Sequence, residues 1–256
     1  MNIIDMHIHP YKNDAQNIAV FGTPESKPET LVTELKRAGI THCCGSVLET
    51  LDGSSWADVK RLNDDALEFK KLYGDFYTPG FHVHPNFVRE SCEEIERMDK
   101  LGVRFIGELC PYLLGWKGYT SREMTEIFEL AQEKNMTVSI HPSTPDDLDA
   151  FVARFPKLDI ILAHPGDHSV FRVNLERMKK YENLCQDLSG TGIFRYGAIR
   201  YGIDQVGKER FLFGSDFPIC NPGMYVQGTL FEPLTDTEIE YIMEKNSQRL
   251  ILDKQG

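Results

Sequence analysis

The amino-acid sequence predicts an α/β fold, a (β/α)8 TIM barrel that takes in residues 1–256 as one domain. Three observations carry this expectation. Eight short apolar, β-branched runs alternate with eight longer amphipathic stretches, the pattern of a parallel sheet wrapped in helices. The 256 residues match the roughly 250 of such a barrel and approach the ceiling for one hydrophobic core. The first run ends in histidines, where an open doubly wound sheet usually carries a glycine-rich phosphate turn.

Strands are expected over residues 2–9, 41–48, 76–82, 103–109, 137–141, 159–164, 184–189 and 210–216. Helices are expected over 29–38, 56–73, 92–101, 121–135, 146–155, 169–180, 193–206 and 236–252. The second helix places Val59, Leu62, Ala66, Phe69 and Tyr73 on one face at helical spacing. Ser121 stands as a cap before a helix whose apolar side is Met124, Ile127, Phe128 and Ala131. Pro145 with Asp146 and Asp147 reads as a helix start that the dipole favours. Gly39, Gly74 and Gly102 sit where three helices should end. Three connections are long, residues 10–28, 110–120 and 217–235. Long ordered loops in a compact domain tend to be functional. Each of these follows a strand and so belongs to the C-terminal face, where barrels build active sites.

The net charge is −11, from 28 Lys and Arg against 39 Asp and Glu. An acidic surface disfavours nucleic acid and anionic membrane as general partners. No run approaches the ~18 apolar residues of a membrane span, and the start MNIIDMHIHP lacks the features of a signal peptide, so a cytoplasmic location is expected. The six cysteines form no CxxC pair and are expected as free thiols. The expected partner is a small-molecule substrate, and homo-oligomerisation is left open.

Chemistry concentrates at the strand ends. His7 and His9 lie two apart on the first strand, so both rings face one way and can share an ion. Glu108 ends the fourth strand, His141 the fifth, His164 the sixth and Asp216 the eighth. In a barrel these six side chains converge on one small volume at one rim. Imidazole and carboxylate donors suit a divalent metal, zinc first, with manganese, iron or nickel also suited.

The ordered set DxHxH, GE, HP, HPG and GSDFP resembles the amidohydrolase superfamily, in its amidohydrolase-related branch of metal-dependent hydrolases and decarboxylases. The resemblance runs from the first strand to the eighth. It implies that His7 and His9 bind one ion and that Asp216 is both ligand and proton-transfer base. It implies that His141 and His164 bind a second ion, or that one binds and the other polarises the substrate. Many members carry a modified lysine at the end of the fourth strand. Glu108 stands there instead and looks like the bridging glutamate of the TatD-type branch, so the count stays at one or two ions. The activity implied is hydrolysis of a small-molecule ester, lactone, amide or phosphoester by metal-activated water, with Asp216 and His164 as catalytic groups. The alternatives are a decarboxylase using the same ring and a TatD-like nuclease.

Other residues have two readings each. Asp5 is placed to orient a ligand imidazole or to bond backbone. His82 and His84 form a second HxH, as substrate contacts or as satisfied loop histidines. Arg195 near the mouth is a candidate partner for a substrate anion, against the default of a solvated charge. Tyr112, Trp116, Tyr119, Phe194, Tyr196 and Tyr225 either wall a pocket or pack their own loops. His42 and His168 read as structural, and Arg104 as one half of an ion pair at the bottom of the barrel.

Overall fold

The computed structural model describes residues 1–19, 21, 27–51, 55–192 and 195–255. In chain order the elements are β1 (Ile4–Ile8), α1 (Pro28–Arg37), β2 (His42–Gly45), α2 (Trp56–Tyr73), β3 (Tyr77–Pro79), α3 (Val88–Lys100), β4 (Phe105–Leu109), α4 (Pro111–Leu114), α5 (Arg122–Glu133), β5 (Thr137–Ile140), α6 (Pro145–Arg154), β6 (Asp159–Leu162), α7 (His168–Lys180), β7 (Leu184–Asp187), α8 (Ala198–Val206), β8 (Phe211–Leu212), α9 (Pro222–Leu230), α10 (Asp236–Glu240), a π-helical turn (Tyr241–Lys245) and α11 (Asn246–Leu250).

All strand pairs are parallel, in the order β1-β2-β3 and β4-β5-β6-β7-β8. Two seams close these arcs into the barrel. At one, the Phe81 amide donates to the Phe105 carbonyl at 3.1 Å and the Gly107 amide to the Phe81 carbonyl at 2.8 Å. At the other, the Met6 amide donates to Phe213 (3.0 Å), the His9 amide to Phe217 (2.8 Å) and the Asp216 amide to His7 (2.8 Å). Gly45 is required beneath the second strand: a Cβ there would sit 1.8 Å from the Ile8 carbonyl oxygen.

Helix punctuation follows local chemistry. Ser121 accepts from the Met124 amide at 3.1 Å and caps α5, whose buried face includes Met124, Ile127, Phe128 and Ala131. Ser121→Ala should cost about 1 kcal/mol of stability, read from a denaturant midpoint. Thr144 caps α6, with Pro145 in its first turn. Gly39, Gly74 and Gly102 all have positive φ past helix ends, as expected.

Several elements depart from the expected boundaries. The 217–235 connection contains α9, which Asn221 caps by accepting from the Met224 amide. Its glycines and lack of apolar period hide it from a pattern search. The last helix breaks into α10, a π-helical turn and α11. The eighth strand pairs with the seventh only over Phe211–Leu212, and beyond it Phe213, Asp216 and Phe217 bond the first strand instead. The seventh helix, expected from Ile193, begins at Ala198, because Gly197 before it takes left-handed backbone (φ 85); Ile193 and Phe194 lie outside the described residues.

The layer between strands and helices is one large core, including Phe69, Phe81, Phe128, Phe151 and Phe213. A smaller cluster joins Ile4, Cys44, Phe105, Ile161, Cys185 and Leu212 to Leu250 and Ile251. Residues 250–255 thus cover the N-terminal end of the barrel. There Thr137 donates its hydroxyl to the Leu250 carbonyl, and Lys254 reaches Asp159 at 2.6 Å. Arg104 pairs with Asp99 at 2.7 Å and donates to the Lys254 carbonyl at the same end. Sealing one end leaves the opposite rim for chemistry. Among the described residues no helix is long and apolar enough to cross a membrane, and all six cysteines are free.

Candidate metal centre and active-site cleft

Four donors from three strand ends face one another at the rim. His7 Nε2 lies 3.1 Å from His9 Nε2, 3.4 Å from Glu108 Oε2 and 3.6 Å from Asp216 Oδ1. His9 Nε2 lies 3.5 Å from Glu108 Oε2 and 3.4 Å from Asp216 Oδ1. An ion held tetrahedrally by ligands at about 2.1 Å has donor–donor edges of about 3.4 Å. The five edges fit that size. The outer hydrogen bonds of both imidazoles settle which ring nitrogens are bare. His7 Nδ1 meets Asp187 Oδ2 at 2.8 Å and His9 Nδ1 meets the Ser46 carbonyl at 3.2 Å. In the neutral rings each Nδ1 therefore carries the proton, and each Nε2 turns a lone pair inward. Asp216 Oδ1 is buried with no hydrogen-bond partner. Lone pairs and carboxylate oxygens this close repel unless a cation lies among them.

The protonation energetics show the same demand for positive charge. Burial opposes protonation of His7, yet the Glu108 and Asp187 carboxylates hold its pKa well above the usual value. Burial likewise opposes His9 and His164, and carboxylates raise both: Asp216 and Glu108 for His9, chiefly Glu108 for His164. Burial would raise Glu108, but His7, His141 and His164 keep it well below the carboxylate range.

On its other side Glu108 meets a second donor set. His141 Nδ1 is 3.0 Å and His164 Nε2 3.4 Å from Oε1. The two oxygens of one carboxylate thus face two different groups of donors. His164 occupies left-handed backbone (φ 59), as Asp216 does, both just beyond their strands. Asp187, which sequence reasoning missed, organises this wall. Besides His7 it accepts from the His164 amide at 3.1 Å, the Ser189 amide at 3.0 Å and the Ser189 hydroxyl at 2.6 Å. Ser189 Oγ, having donated to Asp187, takes His164 Nδ1–H at 3.1 Å, which leaves His164 Nε2 bare toward Glu108. The available signal was a polar run, Gln186-Asp187-Leu188-Ser189, in a strand that a parallel sheet buries on both faces.

The centre opens into a cleft of about 310 Å³ lined by Ile18, Leu48, Tyr112, Leu113, Thr191 and Ile219, with Cys110 and Cys220, around His9, Glu108, His141, His164 and Asp216. No lysine or arginine lines it among the described residues. Tyr112 stands edge-on to His141, ring centroids 5.1 Å apart.

Several expected contacts are not brought there. His82 is fully buried, donates through Nε2 to the Val47 carbonyl at 2.8 Å, and is pushed down to about 4 by burial. His84 meets the Leu114 carbonyl at 3.0 Å and accepts from the Asn86 amide at 3.1 Å. Both pin backbone, and neither lines the cleft, which corrects the substrate-contact expectation. Arg195 lines a separate depression of about 220 Å³ with His168, Arg172, Tyr196 and Tyr201, between α7 and α8, so it too is displaced from the expected role. Asp5 bonds no imidazole. It accepts from the His7 and Ser215 amides and the Ser215 hydroxyl, and burial raises its carboxyl to about 7. His42 holds the Asp75 carbonyl and Thr78 hydroxyl, and His168 opens α7 behind its Asp167 cap. Trp116 and Tyr119 pack on each other in their loop, and Tyr225 donates to the Gly190 carbonyl.

Comparison with known proteins places this arrangement. The amidohydrolase family model matches residues 4–251. The chain belongs to the amidohydrolase family. No curated protein matches it. Among solved structures, this amidohydrolase resembles an uncharacterized TIM-barrel protein from Bordetella bronchiseptica, with TM-score 0.77, 18% identity and 99% of each chain covered. It also resembles 5-carboxyvanillate decarboxylase LigW from Sphingomonas paucimobilis, at TM-score 0.70 and 15% identity over 98% of this chain and 99% of that one. A 5-carboxyvanillate decarboxylase from Novosphingobium aromaticivorans with bound manganese gives TM-score 0.70 and 14% identity over 97% and 96%. At such identities the likeness establishes the barrel. The family's members bind divalent metal, and the bare inward donors fit that role on this chain's own chemistry.

Proposed function

We propose that this amidohydrolase is a metal-dependent hydrolase of a small, uncharged carbonyl compound, an ester, lactone or amide. The observation that carries the reading is the pairing of a cation-demanding donor set with a cleft whose described lining adds Ile18, Leu48, Leu113 and Ile219 to those donors and holds no lysine or arginine. An anionic substrate entering there would meet no lysine or arginine among the described residues, which disfavours phosphoesters and nucleic acid. His7, His9, Glu108 and Asp216 would hold one ion. Glu108 turns its second oxygen to His141 and His164, which supports a bridging role and a second ion. A bound divalent ion supplies Lewis acidity, acidifying water and polarising a carbonyl. Zinc is our first choice for imidazole–carboxylate donors.

The chain's own residues then do the rest. The Asp216 carboxylate, at the rim of the cleft, takes a proton from the attacking water and returns it to the leaving oxygen or nitrogen. The Asp187–Ser189 pair holds His164 in one tautomer beside Glu108, where it can steady charge building on the carbonyl oxygen. Leu48, Leu113 and Ile219 offer apolar surface to the substrate's carbon skeleton beside that step.

The decarboxylase structures that share this barrel support a second reading, decarboxylation of a small aromatic acid. Product analysis separates the two. Assayed in ¹⁸O-labelled water on lactones, esters, amides and aromatic carboxylates, a hydrolase puts label into the acid product and releases no carbon dioxide. Carbon dioxide release without label uptake would overturn our reading in favour of the lyase.

A further inference from the structure

Cys110 is a second donor beside Glu108 that the mechanism above does not use. It lies just past β4, 2% exposed, with its thiol donating to Glu108 Oε2 at 3.0 Å. The donor atoms of Glu108, Cys110 and His141 all lie within 4.8 Å of one another. The neighbouring Asp216 Oδ1 is buried with no hydrogen-bond partner in the same cleft. A weak S–H donor is a poor choice for satisfying a buried carboxylate, and serine would do it better. Sulfur is a good choice where a borderline-soft ion must be held against harder competitors. We propose that Cys110 is a metal ligand of the centre and biases it toward thiophilic Zn²⁺ over Mn²⁺. On coordination the ion takes the place of the S–H proton, which leaves to water, and Glu108 keeps its contact through the shared cation.

The inference rests on the metal-centre reading, and Co²⁺ as a probe tests the two apart. Ion-free protein titrated with Co²⁺ should develop visible d–d bands, which report binding, and a near-ultraviolet sulfur-to-cobalt band, which reports the thiolate. Cys110→Ser should keep the d–d bands and lose the sulfur band, while Cys220→Ser, the other thiol of the cleft, should keep both. In equilibrium dialysis against mixed Zn²⁺ and Mn²⁺, Cys110→Ser should lower the zinc preference by about tenfold or more. Cobalt bound without the sulfur band in the unsubstituted protein would overturn the proposal and leave the metal centre standing. So would a sulfur band that survives in Cys110→Ser. Absence of any d–d band would overturn both. If Cys110→Ser does not fold, a sulfur band kept in Cys220→Ser assigns it to Cys110, and a band lost there overturns the proposal.

Discussion

Asp216→Asn is expected to lower kcat by about a thousandfold, the scale of losing a positioned proton carrier. The amide keeps the carboxylate's shape and still offers one oxygen to a cation, but it cannot take a proton. Circular dichroism and the thermal midpoint should therefore stay near those of the unsubstituted protein. Asp216 Oδ1 makes no hydrogen bond, so no partner is orphaned by the change. The Asp216 amide keeps its bond to the His7 carbonyl, so the seam between the eighth and first strands survives. Turnover within about tenfold of normal would remove Asp216 from the proton path and require another base.

Asp187→Asn should act one step back from the ion. Chelator dialysis is expected to abolish turnover of the unsubstituted protein, and Zn²⁺ or Mn²⁺ to restore it. In Asp187→Asn the ion concentration for half restoration should rise by about 10- to 100-fold, the usual range for losing the partner of a ligating histidine. The reason is the 2.8 Å contact that fixes His7 Nδ1–H and so keeps Nε2 bare. An asparagine can still accept at that point, but it carries no charge and can turn its NH2 group toward Ser189. The effect should appear in ion affinity rather than in kcat at saturating metal. An unchanged restoration curve would mean that His7 does not need Asp187, with Ser189 Oγ at 3.0 Å from Nδ1 left to orient the ring.

Much of this site is legible without coordinates because the barrel converts distant sequence into one rim. His7, His9, Glu108, His141, His164 and Asp216 each stand at or just beyond the end of a strand, and the structure brings them together. The strand order was equally readable, since alternation leaves few ways to wind a parallel sheet. What spacing cannot convey is where a ring reaches once the backbone bends. The second HxH has the same period as the first, yet His82 and His84 turn to the carbonyls of Val47 and Leu114. Asp187 hid for the opposite reason: its role depends on His7, 180 residues away, and no local pattern encodes that partner. Arg195 was placed by proximity in sequence to Ser189-Gly190, and helix packing carries it to another depression.

The seam between the eighth and first strands has a consequence for biosynthesis. Asp216 and His7 meet only when the two ends of the barrel join. While Phe211–Asp216 is still inside the ribosome, the emerged histidines lack both the acid that faces them and the strand that sets their register. Long-range closure of this kind is slow, so the full set of donors comes together late, once this seam has formed.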